Sequence, residues 1–317
     1  MAIEHEYGVG KPEIYLGRRA NERLHFSQEG CFDVIHDREK KNPLVGLAQV
    51  TILPPASTFL PVLPVQEEGK LLFGLCAKCL KTKRQAFCRH SDRQRALTNV
   101  WTIPEICFAL ECGYTLMTVH EALVYKEKAK PFKKFYNRLA HMKLEAEGFP
   151  DWAETQEQKC CYVSRLNAQV EWLDLDVARI RKNPSRRDFA KLCSNCALGK
   201  LSQNTNKRTV HYCWSWEEIA TLKFDPTLRI VNLYPMTTKY FEVVTEKRQE
   251  FQGFARNTQV RGRCKDLSFS TAATSLSFFY QVVLYSHVTA YARINMMRDM
   301  KYLQKRGARI FYTDTGE

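Results

Sequence analysis

The sequence predicts an α+β fold, because helix-like and strand-like segments occupy separate parts of the chain. Apolar positions recur at helical spacing within residues 131–147. That stripe consists of Phe135, Leu139, Met142 and Ala146. Short strand-like apolar runs instead occupy residues 46–52 and 209–244. A chain of 317 residues suffices for one large domain or for two domains of ordinary size.

The composition favours an anionic partner. The chain carries 48 Lys and Arg against 34 Asp and Glu, a formal net charge of +14, and such an excess is typical of nucleic-acid-binding proteins. The N-terminal residues MAIEHEYGVG lack an apolar signal segment, so we expect the twelve cysteines to be thiols or metal ligands rather than disulfides. These features favour an intracellular protein, in the nucleus or cytoplasm, over a secreted one. No apolar run approaches the ~20 residues of a membrane-spanning helix, so no membrane partner is expected.

Loops, short strands and extended segments are predicted before the first cysteine cluster. Residues 1–40 are polar and contain glycines that indicate loops and short strands. A strand is predicted over Gly46–Ile52, and the prolines within residues 54–64 then impose extended backbone. A short apolar run at residues 71–75 leads into a cluster of cysteines.

Four potential metal ligands fall within this cluster, namely Cys76, Cys79, Cys88 and His90. Two thiolates separated by two residues can bind one side of a Zn²⁺ ion, and a second pair from the end of a short loop completes a tetrahedron. Such a site is structural, because four protein ligands leave no coordination position open for chemistry. The alternative is four unconnected residues, with the cysteines as buried free thiols. We predict one zinc ion per chain.

The next predicted helix begins with a capping box. Thr102 is placed as the N-cap, with Glu105 reaching back to it. The helix is predicted to end at Gly113, and a strand to follow from Tyr114 to His120. These positions are interpreted as packing residues.

A pair of helices is predicted in the middle of the chain. The helix within 131–147 is stopped by Gly148 and Pro150, and residues 151–182 are predicted to be a charged linker with helical character around 170–180. A second helix is predicted from Asn183, a good N-cap followed by Pro184, to Gly199.

This second helix carries a polar wall. Arg187, Lys191 and Asn195 are spaced four apart and therefore stack on one face. Such a face suits a polyanionic ligand, and the alternative is an ordinary solvated face. A different stripe, consisting of Phe189, Cys193 and Cys196, is predicted to face a core.

The C-terminal third is predicted to be strand-rich and to end in a basic helix. Strands are predicted over Thr209–Trp214, Leu228–Leu233 and Tyr240–Val244, with a short helix starting just after Trp214. Residues 270–286 are apolar enough for core. A final helix is predicted from Thr289 to Gly307. Its basic residues are Arg293, Arg298, Lys301, Lys305 and Arg306, which could contact phosphates or simply form a charged outer face.

The segment Lys191-Leu-Cys-Ser-Asn195-Cys-Ala-Leu-Gly199 resembles the fingers motif of family B DNA polymerases, Lys-x-x-x-Asn-Ser-x-Tyr-Gly. The following Lys200-Leu-Ser-Gln203 is similar to the Gly-Lys-Phe-Gly-Gln ending of protein-primed members from Maverick/Polinton-type mobile elements and organellar plasmids. The resemblance implies that Lys191 holds the phosphates of an incoming dNTP, and that Lys200 lies near DNA. Two residues depart from the motif: Cys196 replaces the serine, and Leu198 replaces the aromatic residue.

Further segments resemble the same family in the same order. Residues 7–14 resemble Tyr-Pro-Val-Gly-His-Pro-Glu-Ile, and residues 101–114 resemble Trp-x-Thr-x-Glu-Leu followed by Gly-Tyr. Residues 143–150 resemble Lys-Gln-Glu-Ala-Ser-Gly-Trp-Pro of the first fingers helix. The family also shows a similar Cys-x-x-Cys and Cys-x-His insertion. The resemblance implies nucleotide binding by Lys191, Arg187, Asn195 and Lys143.

The final helix and the residues after it complete the resemblance. Thr289-Ala-Tyr-Ala-Arg293 is similar to Thr-x-x-Gly/Ala-Arg, which implies that Thr289 and Arg293 contact DNA. Residues 307–317 align without a gap to motif C, which makes Asp314 the first catalytic aspartate and places Gly316 at the second. A shift of two residues would put Asp314 in the second place but would break the agreement at Gly307, Arg309 and Tyr312. Motif A, Asp-x-x-Ser-Leu-Tyr-Pro, does not occur in the sequence, so the two-Mg²⁺ site of the family is incomplete here.

The resemblance implies a partial polymerase palm sheet with helical fingers and a zinc-binding insertion. The expected segments are a palm remnant at 1–45, the zinc-bearing insertion at 46–130, fingers helices at 131–205, and palm at 206–317. The expected function is that of a protein-primed, DNA-directed DNA polymerase, truncated and inactive as this chain alone, with DNA, dNTP and a priming protein as partners. The alternatives are a non-catalytic zinc-containing nucleic-acid-binding protein derived from a mobile element, and a gene-model fragment that does not fold alone.

Overall fold

The computed structural model describes residues 5–310, apart from 36, 38, 40, 69, 84–86, 171, 202–207 and 248–275. Within these residues the chain has the predicted mixture of helices and sheets. The strands are β1 Tyr7–Val9, β2 Glu13–Leu16, β3 Leu24–Phe26, β4 Cys31–Asp33, β5 Val45–Leu53, β6 Pro64–Glu67, β7 Lys70–Phe73, β8 Leu97–Thr102, β9 Thr115–Tyr125, β10 Glu127–Ala129, β11 Thr209–Cys213, β12 Leu228–Pro235 and β13 Phe241–Lys247. The helices are α1 Gly17–Arg23, α2 Ala77–Thr82, α3 Asp92–Arg95, α4 Ile103–Glu111, α5 Lys133–Glu147, α6 Gln156–Gln169, α7 Pro184–Leu201, α8 Trp216–Phe224 and α9 Leu276–Lys305.

The centre of the molecule is an antiparallel sheet with strand order β2–β9–β5–β8. Its core contains Val50 and Ile52 of β5, Ile106 of α4, and Ile294 and Met297 of α9. Helices α4 and α9 therefore supply the apolar groups that cover this sheet. The strand predicted at 46–52 is confirmed as β5, and the predicted second strand extends further than expected, to Tyr125.

The central sheet combines strands from two of the segments expected from the sequence, residues 1–45 and residues 46–130. Strand β2, from the first 45 residues, pairs with β9, and β9 pairs with β5. Between β5 and β8, residues 54–96 lie outside this sheet and contain the β6–β7 hairpin, α2 and α3. We call residues 64–96 the metal module, because they contain the four predicted zinc ligands.

Gly46 allows β5 and β9 to approach each other closely. A Cβ atom at this position would lie 1.9 Å from the carbonyl oxygen of Leu123 in β9. Any side chain there would have to push the two strands apart.

We therefore expect Gly46→Ala to destabilise the chain by about 1–3 kcal/mol, the usual cost of inserting atoms into a packed interior. Gly199→Ala is the matched control, since a Cβ there meets no atom within 4 Å on helix α7 and alanine favours helix over glycine. Urea unfolding should show a lower midpoint for the first variant and an unchanged or higher midpoint for the second. Equal midpoints for Gly46→Ala and the wild type would contradict the close approach.

The capping box predicted for α4 is confirmed. The Thr102 hydroxyl accepts a hydrogen bond from the Glu105 backbone N–H at 3.4 Å, and the Glu105 carboxylate accepts one from the Thr102 N–H at 3.3 Å. The helix ends at Glu111, slightly before the predicted glycine. Both Thr102 and Glu105 are buried, so this helix start lies inside the core.

Helices α5 and α7 form an antiparallel pair. The backbone N–H of Asn183 donates to the carbonyl of Ala146, and the Tyr136 hydroxyl donates to the carbonyl of Ser194 at 3.3 Å. The predicted start of α7 is confirmed, because the Asn183 side chain accepts from the Arg186 N–H at 3.0 Å. The two helices predicted in the middle of the chain are therefore packed against each other.

Two predictions about α7 are wrong. The helix continues past Gly199 to Leu201, and the stripe containing Phe189 does not face a core, since Phe189 is 57% exposed and Cys196 is exposed. Arg187 contacts Glu147 of α5, and the neighbouring line of Arg186 and Ser194 contacts Glu145 and the Tyr136 hydroxyl of the same helix. That line is rotated by about 60–100° from the predicted stripe, so the apolar side chains on the predicted stripe point away from α5.

The linker between α5 and α7 contains a helix where none was expected. Helix α6 occupies Gln156–Gln169, whereas the predicted helical part, 170–180, contains only one 3₁₀ turn at Val177–Arg179. A capping box formed by Thr155 and Gln158 starts α6. The Asn167 amide then binds both backbone groups of Leu175 and closes the following loop.

The C-terminal third contains a second sheet and a long helix. The three predicted strands are confirmed as β11, β12 and β13, which form an antiparallel sheet in the order β11–β13–β12, and α8 packs on one face through Ile219. Helix α9 starts at Leu276, not at Thr289, because the apolar segment assigned to core forms its first half. Its predicted end is confirmed by Gly307, which has a φ of +80° just beyond Lys305. No described helix is both long enough and apolar enough to cross a membrane.

Candidate functional site

The four predicted zinc ligands come together in the metal module. One donor atom from each of Cys76, Cys79, Cys88 and His90 lies within 4.8 Å of all the others. Cys76 is buried at the start of α2, where its thiol accepts a hydrogen bond from the Cys79 backbone N–H at 3.4 Å. The four residues are therefore brought together in space, as a shared metal site requires. In the described part of the chain, this is the cluster whose donor groups could hold a metal ion.

The donor geometry fits a tetrahedral zinc ion. The Nδ1 atom of His90 lies 3.4 Å from the sulfur of Cys76, 3.3 Å from that of Cys79, and 3.4 Å from that of Cys88. A zinc tetrahedron with Zn–S near 2.3 Å and Zn–N near 2.05 Å requires S···N separations of about 3.6 Å. The nearly equal spacing of His90 from three sulfurs is the arrangement that a Cys₃His ligand set provides.

The thiols of the cluster influence one another electrostatically. Desolvation and the neighbouring thiols of Cys76 and Cys88 raise the pKa of Cys79 to about 11. By contrast, a hydrogen bond from the His90 backbone N–H lowers the pKa of Cys88. Three thiols at this separation cannot all ionise unless a positive charge compensates them, and a bound dication supplies that charge.

Side chains outside the ligand set fix the module to the central sheet. Arg95 donates to the carbonyl oxygens of Pro54 and Pro55, at 2.9 and 2.7 Å, where the chain leaves β5. The start of α3 is held by a capping box between Ser91 and Gln94. The Arg95 contacts place the C-terminal end of the metal module beside the C-terminal end of β5.

The predicted nucleotide-binding residues lie on the surface of the α5–α7 pair. Lys191 and Asn195 are exposed on α7, and Lys143 is exposed on α5. Arg187 contacts Glu147 at 3.3 Å and Asp188 at 3.5 Å, so its guanidinium already has carboxylate neighbours. Lys200 is exposed in the last turn of α7.

The predicted DNA-binding residues of α9 have partners within the protein. Arg293 donates to one oxygen of Glu105 through Nε at 3.0 Å and Nη2 at 2.5 Å, and the other oxygen of Glu105 accepts from the Thr102 hydroxyl at 2.9 Å. The side chains of Arg293 and Glu105 are only 14% and 4% exposed. The Thr289 hydroxyl donates back to carbonyl oxygens of its own helix. A DNA contact by Thr289 or Arg293 remains a prediction, since helix α4 binds the Arg293 guanidinium in this structure.

The basic residues further along α9 also face α4. Arg298 contacts Glu111 at 3.3 Å, and Lys301 donates to the sulfur of Cys112 at 2.8 Å. Both cationic groups lie over the ring of Phe108. This stretch of the helix therefore uses its positive charges to pack against α4. The sequence did offer one sign that Arg293 lies at a helix–helix interface, because Ile294 and Met297 beside it are apolar and are buried in the structure.

Asp314, the predicted catalytic residue, lies outside the described residues. The described residues also contain no carboxylate cluster of the kind that holds two Mg²⁺ ions. A cavity of about 360 Å³ lies between α4, α9 and the loop around Gly30. Lys191, Arg187, Asn195 and Lys143 do not line it.

Comparison with protein-family models, with curated proteins and with solved structures finds no match for this chain. The polymerase resemblance therefore depends on the motif-like segments of the sequence itself. The site that the geometry supports is the Cys₃His cluster, which could hold a metal ion and is compatible with zinc.

Proposed function

We propose that residues 1–317 form a nucleotide- and DNA-binding scaffold derived from a protein-primed family B DNA polymerase. The observation that carries this proposal is the buried contact between Glu105 and Arg293, which are 188 residues apart. Each residue belongs to a segment that resembles the family, and a shared family fold is one reason for two such segments to meet. The antiparallel pairing of α5 and α7 supports the same proposal, because each of these two helices contains one of the segments that resemble the polymerase fingers.

In this proposal Lys191 binds the triphosphate of a dNTP. Its ammonium group is exposed on α7, and Arg187 lies one helical turn before it on the same face. Lysine acts as a compact point charge toward phosphate oxygens, and in this proposal the planar guanidinium of Arg187 exchanges its carboxylate neighbours for phosphate oxygens. Asn195, one turn further on, provides a neutral donor. Chemistry would still require carboxylates for Mg²⁺, so no catalytic step is assigned to the described residues.

We expect Lys191→Ala to weaken dNTP binding by about tenfold, which corresponds to ~1.4 kcal/mol. Lys223→Ala is the matched control, because Lys223 is also an exposed helix lysine but lies on α8, outside the fingers-like pair. Equilibrium binding of a fluorescent dNTP to both variants and to the wild type measures the difference. Equal affinities for all three proteins would contradict the assignment of Lys191.

A primer-extension assay separates binding from catalysis. Residues 1–317 contain no Asp-x-x-Ser-Leu-Tyr-Pro, and Gly316 stands where motif C needs its second aspartate, so we expect nucleotide binding without primer extension. Extension with Mg²⁺ and dNTPs that Lys191→Ala abolishes would show that the active polymerase is the correct interpretation.

The second candidate is a non-catalytic, zinc-containing protein that binds nucleic acid. The Cys₃His cluster favours it, because four protein ligands leave no open metal position and a structural role follows. In this second candidate function the zinc ion stabilises the fold of a binding surface, and the net positive charge of the chain provides affinity for phosphates. A steep dependence of affinity on salt is expected, and affinity that is indifferent to ionic strength would contradict it.

A further inference from the structure

We propose that the surface of the metal module binds single-stranded nucleic acid, through phosphate contacts around the metal and base stacking on Phe87. This inference deepens the second proposed function, on which it rests, by naming the surface and the form of the ligand. It does not depend on polymerase ancestry or on Lys191.

The charge of the module is the first observation. Residues 76–95 contain seven Lys and Arg and a single acidic residue, Asp92. A zinc ion with three thiolates adds only one net negative charge, so the loaded module remains strongly cationic. This excess is larger than the thiolates need for compensation, and it complements a polyanion.

The placement of these cations is the second observation. Lys78 lies between the ligands Cys76 and Cys79, and Arg89 lies between Cys88 and His90. Both side chains are exposed, so the metal-binding backbone holds one cation inside each ligand pair.

Two further exposed cations, Lys81 on α2 and Arg93 on α3, lie on the short helices next to the cluster. Lys83 forms an ion pair with Glu68, and Arg95 forms one with Asp92. By contrast, Lys78, Lys81, Arg89 and Arg93 make no ion pair with a carboxylate in the described part of the chain. These four residues are therefore the cations that the module offers to a ligand, and we call them the module cations.

Phe87 is the third observation and indicates the form of the nucleic acid. Its ring is 84% exposed and immediately precedes the ligand Cys88, two residues before the module cation Arg89. Unpaired bases stack on exposed aromatic rings beside a positively charged path, whereas bases inside a duplex are already stacked on each other. A single strand can therefore use both Phe87 and the module cations, while a duplex can use only the cations.

The test measures binding of a labelled oligodeoxythymidine, and of a duplex of equal length, to the zinc-loaded full chain by fluorescence anisotropy. Charge removal at all four module cations, Lys78→Gln, Lys81→Gln, Arg89→Gln and Arg93→Gln, should weaken binding at least about tenfold. The slope of log affinity against log salt for the single strand should also become shallower, by about 0.7 for each phosphate that the variant no longer neutralises. Phe87→Ala should weaken binding of the single strand and leave duplex binding unchanged.

The matched control removes four exposed lysines elsewhere, Lys11, Lys182, Lys223 and Lys239, and so lowers the net charge by the same amount. Zinc content is measured for every variant, so that loss of the metal is separated from loss of the surface. If the quadruple variant loses zinc, the single variants Lys78→Gln and Arg89→Gln decide the question, each with an expected loss of about threefold.

The inference is overturned if the zinc-loaded variants at the module cations bind the single strand as tightly as the wild type does. It is also overturned if the control variant loses as much affinity for the single strand as they do. In either case the chain still binds nucleic acid, and only the location is wrong. If the wild-type chain with its zinc does not bind either oligonucleotide, the second proposed function fails together with this inference.

Discussion

Removal of the metal is expected to unfold the metal module and to leave the central sheet folded. Structural zinc contributes an apparent ~10–16 kcal/mol in isolated zinc-finger peptides, because binding and folding are one process there. The module resembles such peptides in lacking a core of its own: α2 and α3 have six and four residues, and neither contains a buried side chain. Helices this short are not stable in water without other support.

Cys79→Ser should therefore abolish stoichiometric zinc binding and expose residues 76–95 to protease and to rapid hydrogen exchange. Cys161→Ser is the matched control, since it removes an exposed thiol on α6, outside the cluster. Metal content by elemental analysis and limited proteolysis report the two effects separately. A zinc-loaded Cys79→Ser protein, or a Cys161→Ser protein without zinc, would contradict the ligand assignment.

The second large effect is expected at the seam between α4 and α9. Replacing Arg293 by Met leaves the Glu105 carboxylate buried without its cation, and removing one partner of a buried ion pair costs about 3–5 kcal/mol. Glu105→Gln keeps the capping interaction with Thr102 but leaves Arg293 unpaired, and it should also destabilise. The double variant should recover part of the loss, because neither charge is then buried alone.

Arg298→Met provides the comparison for this experiment. Arg298 forms an ion pair with Glu111 between the same two helices, but the two side chains are 57% and 44% exposed. Loss of this ion pair should therefore cost less than about 1 kcal/mol. Urea unfolding of the four variants and the wild type gives the free energies. An Arg293→Met protein within ~1 kcal/mol of the wild type would show that the pair contributes little to the fold.

Local interactions were the part of the structure that the sequence predicted well. The caps at Thr102 and Asn183 involve residues within one turn of each other, so their side chains identify the helix starts directly. The four zinc ligands lie within a stretch of fifteen residues, Cys76 to His90, and their spacing alone restricts them to one small region. Both features depend on chain geometry over short distances.

Two helix boundaries and one contact between distant helices were not predicted from the sequence. The start of α9 was placed at Thr289 because a continuous apolar run does not distinguish a buried helix from a core strand by periodicity. The contact between Arg293 and Glu105 was not predicted, because Glu105 belongs to another helix far away in the sequence. Gly199 was expected to end α7, but a glycine in an exposed helix position costs only about 1 kcal/mol, and the helix continues through it.

Three thiolates and one imidazole are inferred to hold a zinc ion in the metal module, and the structural role of the module depends on this ion. X-ray absorption at the zinc edge of the purified, zinc-loaded chain tests the inference most directly. We predict a first shell of three sulfurs at about 2.3 Å and one nitrogen at about 2.0–2.1 Å. A shell of oxygen and nitrogen only, or a purified chain that binds no zinc, would contradict it.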